Sequence, residues 1–324
     1  MQMRKLGRTG LKVASLCLGG NVFGWTCDEP TSFAVLDTYV SGGGNFVDTA
    51  DVYSRWASGH IGGESEIILG RWMKERGNRQ QLVVATKVGA PMGAGPNERG
   101  LSRQYIMAAV EASLQRLQTD YIDLYQAHLD DLDTPIEETM GVFDDLIHQG
   151  KVRYIGASNY SAWRLTRTLW ESDRHHLARF ESLQPFYNII KREDYERELE
   201  PLCRDQNIGV ISYSSLASGF LSGKYHRNSD LPGSPRAKGI QKTYMTDQGF
   251  TILEQVQAVA AEVAATPGQV ALAWLMARPG ITAPIASATS VEQTRELLGA
   301  SSCKLEAGLI DRLNQASDWK QTLN

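Results

Sequence analysis

Leu82-Val83-Val84-Ala85-Thr86-Lys87 is a short run of apolar and β-branched residues that ends on a lysine. The run is apolar almost continuously, whereas a strand with one solvent-exposed face alternates apolar and polar residues. Strands that are covered on both faces, as in parallel sheets, have this continuous pattern. The segment therefore predicts one buried strand of a parallel α/β sheet, with a charged side chain at its carboxyl end.

The same kind of segment recurs along the whole chain. Seven further runs are interpreted as strands: Ser15–Leu18, Asn45–Thr49, Ile122–Gln126, Val152–Ala157, Glu181–Pro185, Ile208–Tyr213 and Ile281–Ile285. Longer segments with helical spacing separate them, and no linker rich in glycine and serine divides the chain. This alternation favours one (β/α)8 TIM barrel over residues 1–324, of the α/β class, and disfavours a doubly wound sheet.

Segments outside the alternation complete the predicted barrel. The stretch Arg4–Val13, with a turn at Thr9-Gly10, resembles an N-terminal β-hairpin that would plug the bottom of the barrel. Two surplus C-terminal helical stretches, Phe250–Ala265 and Ala307–Trp319, are expected to lie outside it. Gly219–Thr246 lacks periodicity, and a long segment of this kind inside a compact domain is typical of a functional loop.

Helix boundaries can also be predicted from local chemistry. Thr134-Pro135-Ile136-Glu137 predicts a capping box with proline at the first helical position, and Gly150 predicts the end of the same helix. Around Thr266-Pro267-Gly268-Gln269 the sequence predicts the start of a second helix.

Composition limits the class of protein. The chain has 324 residues, is 42% hydrophobic and 22% charged, and has a net charge of −4, which gives no electrostatic argument for nucleic acid or an anionic membrane. Residues Met1–Leu11 are polar and basic with no apolar run behind them, so we do not interpret them as a signal peptide. The four cysteines are scattered without metal spacing, which suits a reducing cytoplasm and predicts no metal site.

Polar side chains follow the ends of the predicted strands. Asp48 ends the second strand with Tyr53 five residues later, Lys87 ends the third strand, and His128 ends the fourth. The later strand ends supply Ser158, Asn159, Gln184, Tyr213 and Ser214. In a TIM barrel the carboxyl ends of all strands meet at one mouth, so we expect these side chains to converge there.

The four residue types together indicate proton transfer to a carbonyl oxygen. A free tyrosine has a pKa of about 10, and a nearby ammonium lowers that pKa because it favours the phenolate. We therefore expect Lys87 to lower the pKa of Tyr53, with Asp48 holding Lys87 in place. His128 is expected to donate a hydrogen bond that orients the substrate oxygen. A hydride must come from a cofactor, because no side chain can supply one.

These segments resemble, block by block, the aldo-keto reductase superfamily. The first block is Asn45-Phe46-Val47-Asp48-Thr49-Ala50-Asp51-Val52-Tyr53. The later blocks are Val84–Val88, Asp123–His128, Gly150–Asn159, Gln184–Asn188 and Tyr213–Tyr225. The resemblance extends from Leu6-Gly7 to the last barrel helix. One block would be weak support, but six in the right order on successive strands are specific.

The resemblance implies an NAD(P)H-dependent oxidoreductase that reversibly reduces aldehydes or ketones to alcohols, with the proton coming from Tyr53. It implies a catalytic tetrad of Asp48, Tyr53, Lys87 and His128. It also implies that Ser158, Asn159 and Gln184 hold the nicotinamide carboxamide and that Tyr213 stacks on the ring. The complete set of implied cofactor contacts is Gly20, Asn21, Asp48, Ser158, Asn159, Gln184, Tyr213, Ser214, Leu216, Ser218, Leu221, Lys224, Ser287, Thr289 and Gln293.

One segment departs from the family pattern. Ile285–Glu296 lies where the family binds the adenosine 2′-phosphate, and a helix N-terminus is a natural anion site. Ser287, Thr289 and Gln293 would be its side-chain contacts, but an arginine common in the family is replaced by Gln293. The resemblance favours NADP(H) over NAD(H), although the missing cation weakens the case for a strict preference.

Three aromatic residues in loops at the top face are assigned to the substrate pocket: Phe23, Trp25 and Trp56. The expected partner is a small carbonyl or alcohol substrate, with no nucleic acid and no membrane, and the oligomeric state stays open. A cofactor-binding regulatory subunit resembling potassium-channel β-subunits is the main alternative. A Schiff-base aldolase using Lys87 and a metal-dependent barrel hydrolase are further alternatives.

Overall fold

A computed structural model describes residues 1–227 and 237–320. Its strands are β1 (Met3–Lys5), β2 (Lys12–Ala14), β3 (Cys17–Gly19), β4 (Phe46–Asp48), β5 (Val83–Val88), β6 (Ile122–Ala127), β7 (Val152–Ser158), β8 (Phe180–Gln184), β9 (Gly209–Val210) and β10 (Ile285–Ala286). The strands β3 to β10 form one parallel sheet in the order β10-β3-β4-β5-β6-β7-β8-β9. The predicted eight parallel strands are therefore confirmed, each within a few residues of its expected position.

Backbone hydrogen bonds also join the two ends of this sheet. The Thr282 amide donates to the Val210 carbonyl at 2.8 Å, and the Ile285 amide donates to the Ser212 carbonyl at 2.8 Å. Val210 and Ile281 form a parallel bridge. The segment before β10 thus pairs with β9, and the sheet curls into the predicted (β/α)8 barrel.

Twelve α-helices are described, and most of them surround the sheet. They are α1 (Glu29–Ser41), α2 (Glu64–Arg76), α3 (Arg103–Leu117), α4 (Ile136–His148), α5 (Ala162–Arg174), α6 (Glu193–Glu196), α7 (Leu199–Asp205), α8 (Ala237–Thr243), α9 (Asp247–Glu262), α10 (Pro267–Ala277), α11 (Val291–Gly299) and α12 (Ala307–Ala316). The two predicted surplus helices are α9 and α12, which pack against each other. The predicted loop 219–246 contains the helix α8, and its residues 228–236 lie outside the described ranges.

The hairpin formed by β1 and β2 lies at the bottom of the barrel, as predicted. Leu6 and Val13 are fully buried and pack in one cluster with Cys17, Phe46 and Leu124, which come from three barrel strands. The hairpin therefore closes the end of the barrel opposite the carboxyl ends of the strands.

The two predicted helix starts have different outcomes. At α10 the Thr266 hydroxyl accepts from the Gln269 amide and the Gln269 side chain accepts from the Thr266 amide, so a capping box is present. At α4 the prediction is wrong, because Pro135 is the N-cap and the Thr134 hydroxyl donates instead to the Asp131 carboxylate at 2.7 Å. The end of α4 is confirmed, since Gly150 has a left-handed φ of +73° just beyond it.

Candidate active site

A cavity of about 970 Å³ opens at the carboxyl ends of the barrel strands. Asp48, Tyr53 and His128 line it near the barrel axis, and residues from β10 and α11 line its far end. The wall also includes polar residues that were expected from the sequence: Asn21, Ser158, Asn159, Gln184, Tyr213, Ser214, Ser218, Lys224, Ser287, Thr289 and Gln293. The convergence predicted for the strand ends is therefore present, because in a barrel these ends share one mouth.

Lys87 is at the centre of the candidate catalytic group. Its side chain is fully buried, and its ammonium donates to the Asp48 carboxylate at 2.6 Å, to the Thr49 carbonyl at 2.9 Å and to the Tyr53 hydroxyl at 2.7 Å. The Tyr53 hydroxyl itself donates to the same oxygen of Asp48 at 3.1 Å. A tyrosine, a lysine and an aspartate thus form a closed triangle of hydrogen bonds, and Tyr53 lies on the cavity side of it.

The second carboxylate oxygen of Asp48 is held by two amide side chains. Gln184 donates to it at 2.8 Å and Gln126 donates at 3.3 Å. Gln184 was expected at the cofactor, whereas Gln126 was missed by the sequence analysis. The signal for Gln126 is its place on β6 two residues before His128, because alternate residues of a strand point to the same face.

Burial and Asp48 determine the ionisation of the tyrosine. The pKa of Tyr53 is raised well above its usual range, because the phenolate would lose hydration and would lie beside the Asp48 carboxylate. Burial lowers the pKa of Lys87, and the Asp48 carboxylate opposes that shift. The expected lowering of the Tyr53 pKa is therefore a wrong prediction. The hydroxyl stays protonated at neutral pH, and Lys87 is placed to hydrogen-bond to it as its proton leaves.

His128 lies next to Tyr53, with ring centroids 6.0 Å apart and planes at 74°. Burial and the nearby Lys87 ammonium lower the pKa of His128 to about 3, so the imidazole is neutral at physiological pH. Its Nδ1 is buried without a hydrogen-bond partner among the described residues. A neutral imidazole has one N–H donor, which is what a hydrogen bond to a substrate oxygen requires.

The polar groups beyond the tetrad are joined to each other. The Tyr213 hydroxyl donates to the Asn159 amide oxygen at 2.8 Å, and the Asn159 amide nitrogen donates to the His128 carbonyl at 3.0 Å. The Ser158 hydroxyl donates to the Gln184 carbonyl at 2.9 Å. Asn159 has a left-handed φ of +59°, a conformation that asparagine tolerates better than most residues. These contacts fix amide and hydroxyl groups on the cavity wall.

The segment after β9 has an unusual backbone. Ser214, Ala217, Ser218 and Gly219 have positive φ values of +58°, +50°, +58° and +103°. Tight turns of this kind gather backbone N–H groups into concave sites that suit anions. Ser214, Leu216 and Ser218 line the cavity here, and so does Lys224, which contributes an exposed ammonium.

Three residues expected at the cavity wall are not on it. Gly20 lies behind the wall, with its amide donating to the Asp48 carbonyl at 2.7 Å, and Gly19 lines the cavity instead. Leu221 is fully buried because the turn over Ala217–Ser222 directs it into the hydrophobic core. Phe23 is also fully buried, since the chain folds back on Val22 there.

The predicted aromatic wall is formed by the two tryptophans. Trp25 and Trp56 both line the cavity, with ring centroids 5.5 Å apart in an edge-to-face arrangement. Trp56 also contacts Tyr53 at 5.9 Å between centroids. Half of the Trp56 surface is exposed, so one end of the cavity has an apolar face beside the Tyr53 hydroxyl.

Residues from β10 and α11 form the opposite end. Ser287 donates to the Asn21 side chain, and the Thr289 amide and hydroxyl both donate to the Gln293 amide oxygen, at 2.9 Å and 3.1 Å. Ser290 caps α11 by accepting from the Gln293 amide at 3.2 Å. Gln269 and Glu296 also line this end, and neither was expected from the sequence.

The aldo/keto reductase family model matches residues 15–318. The chain belongs to the aldo/keto reductase family. It is 38% identical to the uncharacterized oxidoreductase YrpG of Bacillus subtilis over 97% of this chain and 95% of that protein. It is 35% identical to the aldo-keto reductase AFTS1 of Alternaria alternata, over 93% of this chain and 88% of that protein. It is also 35% identical to a probable voltage-gated potassium channel subunit beta of Arabidopsis thaliana, over 93% and 91%.

As a member of the aldo/keto reductase family, this protein is an oxidoreductase. Enzymes of this family use nicotinamide cofactors and act on small molecules.

Within residues 1–227 and 237–320, no cluster of three or more histidine, cysteine or acidic side chains could hold a metal ion. No single helix in those ranges is long and apolar enough to cross a membrane. The helices α9 and α10, which are bent against each other, reach that length and apolar composition only when they are taken together.

Proposed function

We propose that the protein catalyses the reversible reduction of aldehyde or ketone carbonyls to alcohols, with Tyr53 as the proton donor and a hydride supplied by NADP(H). The observation that carries the proposal is the hydrogen bond of 2.7 Å between the Lys87 ammonium and the Tyr53 hydroxyl, on the wall of a large cavity. Through this hydrogen bond, the phenol that would donate the proton lies beside a cation that can stabilise the phenolate left behind. A general acid needs both.

The cavity fits a nicotinamide dinucleotide. It lies at the carboxyl ends of the strands and has the size of a cofactor or ligand site. Fixed amide and hydroxyl groups from Ser158, Asn159 and Gln184 would hold the carboxamide, and the Tyr213 ring would pack on the nicotinamide. The turns after Tyr213 and the Lys224 ammonium would hold the pyrophosphate. When bound, the cofactor supplies the hydride, which no side chain can.

Residues of this chain would hold the proton and transfer it to the substrate. Tyr53 holds it at the phenolic oxygen, because burial and Asp48 keep the phenol neutral. As a substrate oxygen takes this proton, the Lys87 ammonium stabilises the developing phenolate, and Asp48 balances the charge of Lys87. His128 would donate its single N–H to the same substrate oxygen and orient it.

The environment of Lys87 does not suit an aldolase. A Schiff base needs a neutral amine that can reach a substrate. The Lys87 nitrogen is instead fully buried and donates to three oxygens, of which one belongs to a carboxylate. Its role is better explained as a fixed positive charge behind Tyr53.

We propose NADP(H) as the favoured form of the cofactor. The N-terminus of α11 lies at the far end of the cavity, where the resemblance puts the adenosine 2′-phosphate. Helix N-termini attract phosphate groups, since their free N–H groups and dipole are positive.

Cofactor oxidation across a panel of carbonyl compounds tests the proposed function. The panel covers sugars, aromatic aldehydes, quinones and steroid-like ketones, each with NADPH and with NADH. We expect substrate-dependent oxidation of the cofactor with at least one class. Binding of the nucleotide without turnover of any class would contradict the proposal.

A regulatory subunit is the second candidate, because relatives in Arabidopsis and rice are named as probable potassium channel β-subunits at 35% and 34% identity. A protein of this type would bind the nucleotide tightly, turn over slowly and form a stable complex with a partner. Turnover of a carbonyl substrate together with isolation as the free protein would exclude it.

A further inference from the structure

We propose that Asp51 is a positioning residue for Tyr53, which is held as a neutral acid and joined through an internal water to the Tyr125 hydroxyl behind Lys87. It would fix the turn that carries Tyr53 without placing a second negative charge near the developing phenolate. The positioning role rests on the proposed function, because it assumes that Tyr53 is the proton donor. The proton on Asp51 and the bridging water can be tested without any turnover.

Asp51 is attached through its backbone to both Tyr53 and Lys87. It lies two residues before Tyr53, in the turn that follows β4. Its amide donates to the Lys87 carbonyl at 3.3 Å. The residue is 1% exposed and does not line the cavity. Asp51 can therefore act on the proton donor only through the backbone and through its charge.

Two ion pairs flank Asp51, and neither includes it. The Lys87 ammonium is paired with the Asp48 carboxylate at 2.6 Å. The Arg116 guanidinium is paired with the Glu66 carboxylate at 2.7 Å. Neither oxygen of the Asp51 carboxyl group has a hydrogen-bond partner among the described residues. A buried carboxylate without a partner would be very unfavourable, so the group keeps its proton instead.

The charges around Asp51 also favour the protonated acid. Burial is the main cause that raises the pKa of Asp51 well above its usual value, and the Glu66 carboxylate adds to the shift. Arg116 and Lys87 act in the opposite direction, but each is already paired with another carboxylate. Hydrogen bonding and charge therefore agree on a neutral Asp51.

The Tyr125 hydroxyl is a second buried polar group in this region. It comes from β6, is fully buried and has no hydrogen-bond partner in the described part of the chain. Burial first, and then the nearby Asp51, raise the pKa of Tyr125 well above its usual value, so the two groups are neighbours. Tyr105, another tyrosine close to Asp51, donates to the Ala90 carbonyl at 3.4 Å. Buried waters commonly satisfy such groups, and one water between Asp51 and Tyr125 would satisfy both.

A neutral Asp51 suits the chemistry proposed for Tyr53. As the proton leaves Tyr53, negative charge develops on an oxygen that already lies beside the Asp48 carboxylate. A second carboxylate close to Lys87 would compete for the same ammonium and disfavour that charge. A protonated carboxyl group can still donate to a water and accept from it. Asp51 can therefore hold the turn before Tyr53 without disfavouring the phenolate.

Infrared spectroscopy detects the proton on Asp51 directly. A protonated carboxyl group has a C=O stretch that is distinct from the carboxylate bands. The difference spectrum between the wild type and Asp51→Asn at neutral pH should therefore contain one acid C=O band, and Tyr125→Phe should shift that band. Absence of the band would overturn the neutral state of Asp51. A band that Tyr125→Phe leaves unshifted would overturn the water bridge.

The pH dependence of unfolding tests the same proton in solution. The unfolded chain releases the Asp51 proton above about pH 4 and the folded protein keeps it, so Asp51 lowers stability as pH rises. We expect the unfolding equilibrium constant of the wild type, relative to that of Asp51→Asn, to rise about tenfold per pH unit between about pH 5 and about pH 7. Urea unfolding measures it, and a ratio that does not change with pH would overturn the neutral state.

Glu66→Gln is the matched control for this measurement. Glu66 is a buried acid of the same region, but it is paired with Arg116. The corresponding ratio of unfolding constants should therefore stay within about twofold over the same range of pH. A ratio for Glu66→Gln that follows pH as steeply as that for Asp51→Asn would overturn the assignment to Asp51.

Turnover distinguishes positioning from packing alone. Asp51→Asn keeps a neutral group that can donate and accept, and we expect kcat within about threefold of wild type. Asp51→Leu has a similar shape without either function, and we expect kcat to fall by about tenfold or more while NADPH affinity changes by less than about twofold. Equal kcat values of the two variants would overturn the positioning role. Lack of turnover by the wild type would contradict the proposed function and the positioning role with it, whereas the infrared band and the unfolding ratio would still decide the state of Asp51.

Discussion

The two ends of the cavity are built in opposite ways. At the barrel axis, Asp48, Lys87 and Tyr53 are tied into one triangle by hydrogen bonds of 2.6 to 3.1 Å, and the lysine is fully buried. At the α11 end, Thr289 and Gln293 are bonded to each other, with Thr289 half-buried and Gln293 exposed. The first end holds its charged groups away from water, whereas the second has a pair of neutral polar side chains that solvent can reach.

Substitutions at the two ends of the cavity should therefore differ in the size of their effects. Charges that are paired in a buried site lose much more when one partner is removed than charges in water do. Exposed polar pairs contribute little, because water replaces them. We therefore expect large effects of substitution at the barrel axis and small effects at α11.

Lys87→Met should give the largest change. It leaves the Asp48 carboxylate buried without its cation, which costs about 3–5 kcal/mol of unfolding free energy. It also removes the group that stabilises the developing phenolate, so turnover should fall by about 10²- to 10⁴-fold. Urea unfolding and steady-state kinetics measure the two effects. The double variant Asp48→Asn with Lys87→Met should regain part of the stability but none of the turnover. A double variant as unstable as the single one would refute the account of the buried pair.

His128 should make stability depend on pH. Its folded pKa of about 3 lies below the usual value of 6.5, so between these values the folded protein binds fewer protons than the unfolded chain. Stability is therefore lost as pH falls below about 6.5. We expect His128→Gln to remove up to about 2 kcal/mol of the loss between about pH 7.5 and about pH 5, as measured by urea unfolding. The exposed His148→Gln is the control, and an equal effect of both variants would contradict the assignment.

Trp56→Ala should affect substrates more than the cofactor. The indole forms half of the edge-to-face pair with Trp25 beside Tyr53, so its removal takes apolar surface away from a bound aromatic substrate. We expect KM for aromatic carbonyls to rise by about tenfold, with the dissociation constant of NADPH changed by less than about twofold. A larger effect on NADPH than on the substrate would show that Trp56 does not belong to the substrate end.

Gln293→Ala should give the smallest change, because the Gln293 side chain at the α11 end is exposed to solvent. The side chain is exposed, so unfolding free energy should change by less than about 0.5 kcal/mol. NADPH affinity should change by less than about threefold, since the freed Thr289 donors compensate for the lost amide. Urea unfolding and nucleotide titration measure both quantities. A loss of stability comparable with that of Lys87→Met would remove the contrast between the two ends.

The barrel axis could be predicted from the sequence because it depends on strand ends. Asp48 and Lys87 end or nearly end buried strands, and the fold itself brings such ends together. The direction of the Tyr53 pKa could not be predicted in this way. It depends on how far burial and the Asp48 carboxylate outweigh the ammonium, and only the packed arrangement decides that balance.

Loop residues were harder to predict than strand ends. Phe23 and Trp25 both come from the turn after β3, yet one is in the core and the other is on the cavity wall. Thr134 has the right spacing for a cap, but Asp131 accepts from its hydroxyl instead. Glu296 lies within the predicted segment Ile285–Glu296 but was not singled out, because its place at the cavity depends on how α11 packs against α10. In each case a tertiary contact decides between two local options.

In the proposed mechanism, the Tyr53 hydroxyl supplies the proton to the substrate oxygen. The most direct measurement compares Tyr53→Phe with Tyr154→Phe, whose hydroxyl accepts from the Gly10 amide at the opposite end of the barrel. Nucleotide affinity and turnover of one active carbonyl substrate are measured for both variants. We expect Tyr53→Phe to bind NADPH within about twofold of wild type but to lose at least about a hundredfold in turnover, while Tyr154→Phe keeps both. Normal turnover by Tyr53→Phe would contradict the mechanism.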